Sequence, residues 1–319
     1  MQADEALPPV LCDAHTHFLP KRLASKVRSF FEDYGLASQA SACCSSDSTP
    51  GLYPVQEDDL LAELIADADQ PRRCWSLPYA HKAGMAHSLN EQMTKLATEL
   101  SSKSKGKLIV QPGFTVHPLD GSEGVRQTAQ VALATGSRVC KLHCSVSRLS
   151  VLDGNLAPLW ELAQAHRFPT VVHVGTSIMG VTESEELAEI DELAGRYPDA
   201  IVVIAAHSGH PAVRRSIELA RKHNNVYLDT TPVVVSLVDF PDMRDEPELH
   251  EKLLQLARQG RVLFGSDVPN VAIRVEDQVR DVVRWTSGDS VALDMILGGA
   301  AKKLLDGFLP PLQGSSGKL

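Results

Sequence analysis

Short runs of near-continuous hydrophobic residues recur along the chain. Each is followed by a longer stretch in which apolar positions return every three or four residues. The short runs cover residues 9–17, 73–80, 107–116, 138–146, 169–175, 200–209, 225–231 and 261–269. They are rich in Val and Ile and mostly apolar on both alternating faces, the pattern of a parallel strand covered on both sides. Between them, 59–68, 88–103, 124–135, 156–166, 184–197, 211–223 and 246–259 carry a helical period, with Pro or Gly at many of the ends. Eight strands alternating with helices predict an α/β protein, a single-domain (β/α)8 TIM barrel over residues 1–308. A doubly wound sheet is the competing architecture, but no glycine-rich fingerprint follows the first strand. Residues 37–54, rich in Ser, Gly and Pro, are expected to form an irregular loop insert, with a second long loop at 231–247 and a disordered tail at 309–319.

In such a barrel the C-terminal ends of the strands form the active-site mouth. Polar residues interrupt the apolar runs at that end: His15 and His17 in the first, Lys141 and His143 in the fourth, His173 in the fifth, His207 in the sixth and Asp267 in the eighth. Each is costly to bury alone, and a shared ion explains them together. His15 and His17 are two apart, so they share one strand face and can converge on one ion. Imidazoles with a carboxylate suit a divalent metal, zinc first, with iron or manganese as alternatives. A metal with an open position activates water, Asp267 is placed to carry its proton, and His207 to hold the nucleophile or polarise the scissile group. Lys141 has two readings: an ammonium that binds a substrate anion, or a neutral amine carrying a CO₂ adduct that bridges two ions. Tyr79, His81, Lys82 and His143 are expected to line the substrate pocket. Asp13 is expected to support the ligands from behind or to fix the backbone, pointing to the opposite strand face unless the strand bends. Histidines at 87, 166, 223 and 250 need only structural explanations.

Charge and composition narrow the partners. The 319 residues carry a formal net charge of −9 and no basic stripe, which argues against nucleic acid. No run is apolar and long enough to span a bilayer, and the acidic opening "MQADEALPPV" lacks the basic and apolar regions of a leader. The expectation is a cytoplasmic enzyme acting on a small molecule, alone or as a homo-oligomer. The six cysteines form no CxxC pair and are expected as reduced thiols.

His15-x-His17, His173, His207-x-Gly209 and the "FGSDVP" around Asp267, in that order, resemble the amidohydrolase superfamily. They are most similar to its amidohydrolase-2 branch, which also holds metal-dependent decarboxylases. "RVCKLH" is similar to that branch's fourth strand. "ILGGAAKKLL" (296–305) resembles its closing helix, although the branch usually has Gly-Asn-Ala where this chain has Gly299 and Ala300. The resemblance implies a divalent metal on His15, His17, His173 and Asp267, joined in two-metal relatives by Lys141 and His207. It implies a hydrolase that cleaves a C–N or C–O bond, with non-oxidative decarboxylation of a small aromatic or unsaturated acid as the alternative. A non-catalytic metal scaffold fits the ligand set less well. A nuclease is disfavoured by the acidic charge and by the lack of a Glu before Asp267.

Overall fold

Eight parallel strands pair in sequence order from β1 to β8. They are β1 (Cys12–Thr16), β2 (Arg72–Ser76), β3 (Leu108–Phe114), β4 (Val139–His143), β5 (Pro169–His173), β6 (Ile201–Ala205), β7 (Val226–Asp229) and β8 (Val262–Leu263). The structure, a computed structural model, describes residues 7–26, 71–174, 182–205, 212–231, 247–270 and 274–309. Expectations for 37–54, for the helix at 59–68, for most of the 231–247 loop and for 310–319 lie outside those residues, as do His207, Gly209, Cys43 and Cys44. Three backbone hydrogen bonds join β1 to the chain running out of β8. The Ala14 N–H donates to the Phe264 carbonyl, the Asp267 N–H to that of His15, and the His17 N–H to that of Val268, at 2.7–2.8 Å. The sheet thereby closes into a barrel.

Strand alternation sorts the core into two shells. Cys12, Ala14, Trp75, Leu77, Val139, Val171, Val203 and Leu263 pack inside the barrel, together with Ala300, Ala301 and Leu304 from the last helix. Cys74, Val110, Cys140, Leu142, Val172, Val202, Ile204, Leu228 and Phe264 face outward into the helical layer. That layer contains α1 (Ala86–Lys103), α2 (Gly121–Ala134), α3 (Ala157–His166), α4 (Glu183–Arg196), α5 (Val213–Lys222), α6 (Pro247–Arg258), α7 (Val275–Thr286) and α8 (Ala300–Asp306). The start of α4 is a capping box: the Thr182 hydroxyl accepts the Glu185 N–H, and the Glu185 carboxylate accepts the Thr182 N–H. Among the described residues no helix is long and apolar enough to cross a membrane. Cys12, Cys74, Cys140 and Cys144 are free and buried.

Three boundaries differ from the hydrophobic pattern. β4 ends at His143, because that side chain caps a one-turn helix over Cys144–Ser147 instead of continuing the strand. β8 is only two residues long, since the chain turns irregular at Phe264 to reach across to β1. "ILGGAAKKLL" is not one helix. A wider turn over Met295–Gly299 precedes α8, and Gly298 takes φ +153°. A Cβ at Gly298 would lie 2.7 Å from Cys12 N and from Leu11 Cβ, so only glycine lets this turn press against the entry to β1.

Candidate metal centre

A local irregularity in β1 places the first two site residues. Regular alternation puts residues 13, 15 and 17 on one face and 12 and 14 on the other. Cys12 and Ala14 point into the barrel, so an unbroken strand would turn both histidines out into the helical layer. The pairing with β2 shifts between Asp13 and Thr16, a β-bulge, and the parity changes there. Asp13 holds the bulge: one carboxylate oxygen accepts the N–H groups of His15 and Ser266, both at 3.1 Å. Burial raises the Asp13 pKa to about 7. Gly265 supplies the remaining space, because a Cβ there would lie 2.7 Å from His15 Cβ.

Both imidazoles are held by their Nδ1 atoms. His15 Nδ1 lies 2.6 Å from Asp229 Oδ2 and 3.0 Å from Thr231 Oγ1. His17 Nδ1 lies 2.7 Å from the Leu77 carbonyl, which can only accept, so this nitrogen carries the proton. With Nδ1–H committed on each ring, the Nε2 lone pairs face inward. His15 Nε2 and His17 Nε2 are 3.2 Å apart, and Asp267 Oδ1 is 3.0 Å from the second and 4.0 Å from the first. Among the described residues His15, His17 and Asp267 form the group whose ligating atoms all lie within 4.8 Å of one another.

That donor set fits a divalent ion. Metal–nitrogen bonds of about 2.0–2.1 Å in tetrahedral geometry space the ligand atoms roughly 3.3 Å apart, close to two of the three observed separations, the His15–Asp267 one being wider at 4.0 Å. Two lone-pair nitrogens and a carboxylate oxygen facing one another repel unless something electron-poor sits among them. Without an ion, a proton on His17 Nε2 would satisfy the Asp267 contact, and the Lys141 ammonium, 3.2 Å from His15 Nε2, could donate to that nitrogen. Asp267 itself comes from a residue at φ +57°, a region in which Asp is one of the better-tolerated side chains. Burial pushes its carboxyl up, but the neighbouring His17, His15 and Lys141 outweigh that and hold it below the usual carboxylate range.

Lys141 points inward from β4 and is buried, with Nζ 3.2 Å from His15 Nε2. Burial lowers its pKa to about 8, against the pull of Asp229 and Asp267. Asp229 is raised to about 7 by burial, opposed by Lys141. Tyr79 and His143 form the adjoining wall. The Tyr79 ring is edge-on to His17 (5.6 Å between centroids) and to His143 (5.2 Å). His173 pairs in register with His143 and stacks on it at 3.8 Å, outside the three-residue group. His81 and Lys82 follow β2 but stay exposed. The remaining histidines have structural partners: His117 and His143 cap short helices, His223 pairs with Asp191, and His166 and His250 bond to backbone carbonyls.

The sequence reading missed Asp229. Its signal was present, a carboxylate ending the apolar run "NVYLD", the same kind of position that singled out Asp267. Thr231 and the Leu77 carbonyl had no such signal, since a carbonyl leaves no trace in residue type.

An amidohydrolase family model matches residues 12–307. No curated protein matches the chain in sequence. The fold is shared with solved structures of low identity. An uncharacterised TIM-barrel protein from Bordetella bronchiseptica is 19% identical, with TM-score 0.66 over 93% of this chain and 99% of that one. The 5-carboxyvanillate decarboxylase of Novosphingobium aromaticivorans, solved with manganese and a nitrobenzoic acid, is 14% identical, with TM-score 0.59 over 95% and 97%. The dihydroorotase of Saccharomyces cerevisiae, solved with 5-fluoroorotic acid, is 12% identical, with TM-score 0.57 over 94% and 85%.

Proposed function

Because this chain belongs to the amidohydrolase family, we propose that it is a metal-dependent hydrolase cleaving a C–N or C–O bond, in an amide, lactone or similar small molecule. The observation that carries the reading is the convergence of His15 Nε2, His17 Nε2 and Asp267 Oδ1, with both Nδ1 atoms committed elsewhere. These three residues hold the ion, and His173 and His207 are the further candidate ligands. Zinc suits the nitrogen-and-oxygen donors best, with manganese or iron as alternatives. When bound, the ion supplies Lewis acidity and brings the pKa of a coordinated water toward neutrality. Asp267, ionised at neutral pH, takes the proton from the attacking water and returns it to the leaving group. Asp229 and the Leu77 carbonyl keep the two rings oriented, and Tyr79, His143 and Lys141 face the substrate. His207 polarises the scissile group.

Decarboxylation of a small acid is the second reading. Lys141 favours it, as a buried cation beside the ligand group and a natural partner for a carboxylate. The decarboxylase of similar fold, solved with manganese and a benzoic acid derivative, is consistent with it. One experiment separates the two: metal-loaded protein screened against lactones, amides and small aromatic acids, with hydrolysis and CO₂ release followed together. The expected result is about one to two metal equivalents per chain and chelator-sensitive hydrolysis of a lactone or amide. CO₂ release without hydrolysis would replace the first reading with the second.

The carboxylate behind His15 has its own test. A partner on the far nitrogen of a ligating imidazole fixes its tautomer and raises its basicity, and losing it costs about 10–100-fold in metal affinity. Asp229→Asn is expected to show that loss in a chelator competition, with an unchanged circular dichroism spectrum. Wild-type metal affinity in this variant would remove the orienting role.

A further inference from the structure

Among the described residues, every hydrogen bond and ion pair of the Asp267 carboxylate falls on one oxygen. Oδ1 lies 3.0 Å from His17 Nε2 and 4.0 Å from His15 Nε2, and it accepts from the side-chain amide of Asn270 at 3.4 Å. The side chain keeps 22% of its surface open. The two oxygens of a carboxylate are chemically alike and exchange by rotation about the last torsion, which has broad, two-fold wells. Something must therefore decide which oxygen meets the imidazoles. Asn270 is placed to do so. Its backbone N–H donates to the Asp267 carbonyl at 2.7 Å, closing a turn over 267–270 that brings its side chain back to the carboxylate. An ionised carboxylate only accepts, so the amide turns its NH₂ to Oδ1. The same amide has the Tyr79 hydroxyl as a hydrogen-bond neighbour. Asn270 thereby links the carboxylate to the wall that follows β2, where the Tyr79 ring stands edge-on to His17.

We propose that Asn270 is a positioning residue that divides the work of Asp267: it holds Oδ1 toward the ligand group and leaves Oδ2 to take the proton from water. This rests on the metal-dependent reading above and adds to it the residue that keeps ligand and proton carrier apart on one side chain. Asn270 touches neither the imidazoles nor the reacting atoms and acts only through Asp267. Hydrogen-bond partners of a ligating carboxylate are worth about 10–100-fold in metal affinity. Loss of the amide frees the carboxylate to turn, and either oxygen then reaches the ligand side.

The probe is Co²⁺, whose visible absorption reports the number and arrangement of its ligands, added to the metal-free full chain. Affinity is read by chelator competition, and the metal-free proteins are also crystallised. Asn270→Leu keeps the size and branching of the side chain and removes the donor. It is expected to bind Co²⁺ about 10–100-fold more weakly, to show an altered visible band at saturating cobalt, and to keep the wild-type melting temperature without metal. Asn270→Gln keeps an amide one methylene further out and should recover part of the affinity and of the band. In the metal-free crystal of Asn270→Leu, Asp267 Oδ1 should no longer sit within hydrogen-bond distance of His17 Nε2. The proposal is overturned by a wild-type band and affinity in Asn270→Leu. It is equally overturned by Asn270→Gln behaving no better than Asn270→Leu, which would assign the loss to packing. A wild-type protein that takes up no metal would overturn the metal reading instead. The crystal comparison then decides the positioning role by itself, and an Asp267 carboxylate unmoved in Asn270→Leu would end it.

Discussion

Replacing both His15 and His17 with alanine is expected to leave the purified protein without its divalent ion and without turnover. The two rings supply two of the three ligating atoms in the compact group. Of the compact group only Asp267 then remains, and one carboxylate holds a transition metal too weakly to keep it through purification. The backbone should survive, because the strand is fixed by the Asp13 carboxylate and by the bonds from β1 to the chain beyond β8, none of which uses an imidazole. The measurement is metal content by atomic emission beside a far-ultraviolet circular dichroism spectrum. Full metal content in the double variant would sink the assignment of these histidines.

Asp267→Asn should separate the chemistry from the fold. Asparagine keeps the size of the side chain and tolerates a positive φ about as well as aspartate, so φ +57° at this position adds no new strain. It also keeps an oxygen for the ion. It cannot take a proton from water, and losing a general base costs about 10²–10⁴ in rate. The expected result is kcat reduced by at least that factor, with an unchanged melting temperature and most of the metal retained. Normal kcat would remove Asp267 as proton carrier. A loss confined to metal content, reversed by excess metal, would leave it as a ligand only.

Each part of the site was legible to the extent that its chemistry is written in residue type. A histidine, lysine or aspartate at the end of an apolar run stands out because burying it uncompensated is expensive. His15, His17, Lys141, His143 and Asp267 all announced themselves in this way, and all lie in or beside the ligand group. His173 did so too, yet it stands against His143 rather than within the group. His81 and Lys82 were inferred from loop position alone, a weaker physical argument, and they are exposed.

The sequence by itself determined the architecture and which residue types are available for the chemistry. The alternation of two-faced apolar runs with helical ones admits few folds besides a barrel. Hydrophobic period is a local property, carried by each segment wherever it packs. What only the tertiary structure decided is how those residues meet. The parity of β1 is the clearest case. In a regular strand His15 and His17 would face the helices whenever Cys12 and Ala14 face the barrel, and the bulge that reverses this is pinned by an Asp13–Ser266 contact 253 residues apart in the chain. The choice of tautomer is another. It depends on Asp229, 214 residues from His15, on a carbonyl 60 residues from His17, and on a local cap at His143. Residue type states that an imidazole is present. Which nitrogen offers a lone pair and which a proton depends on whatever the fold sets against the other one.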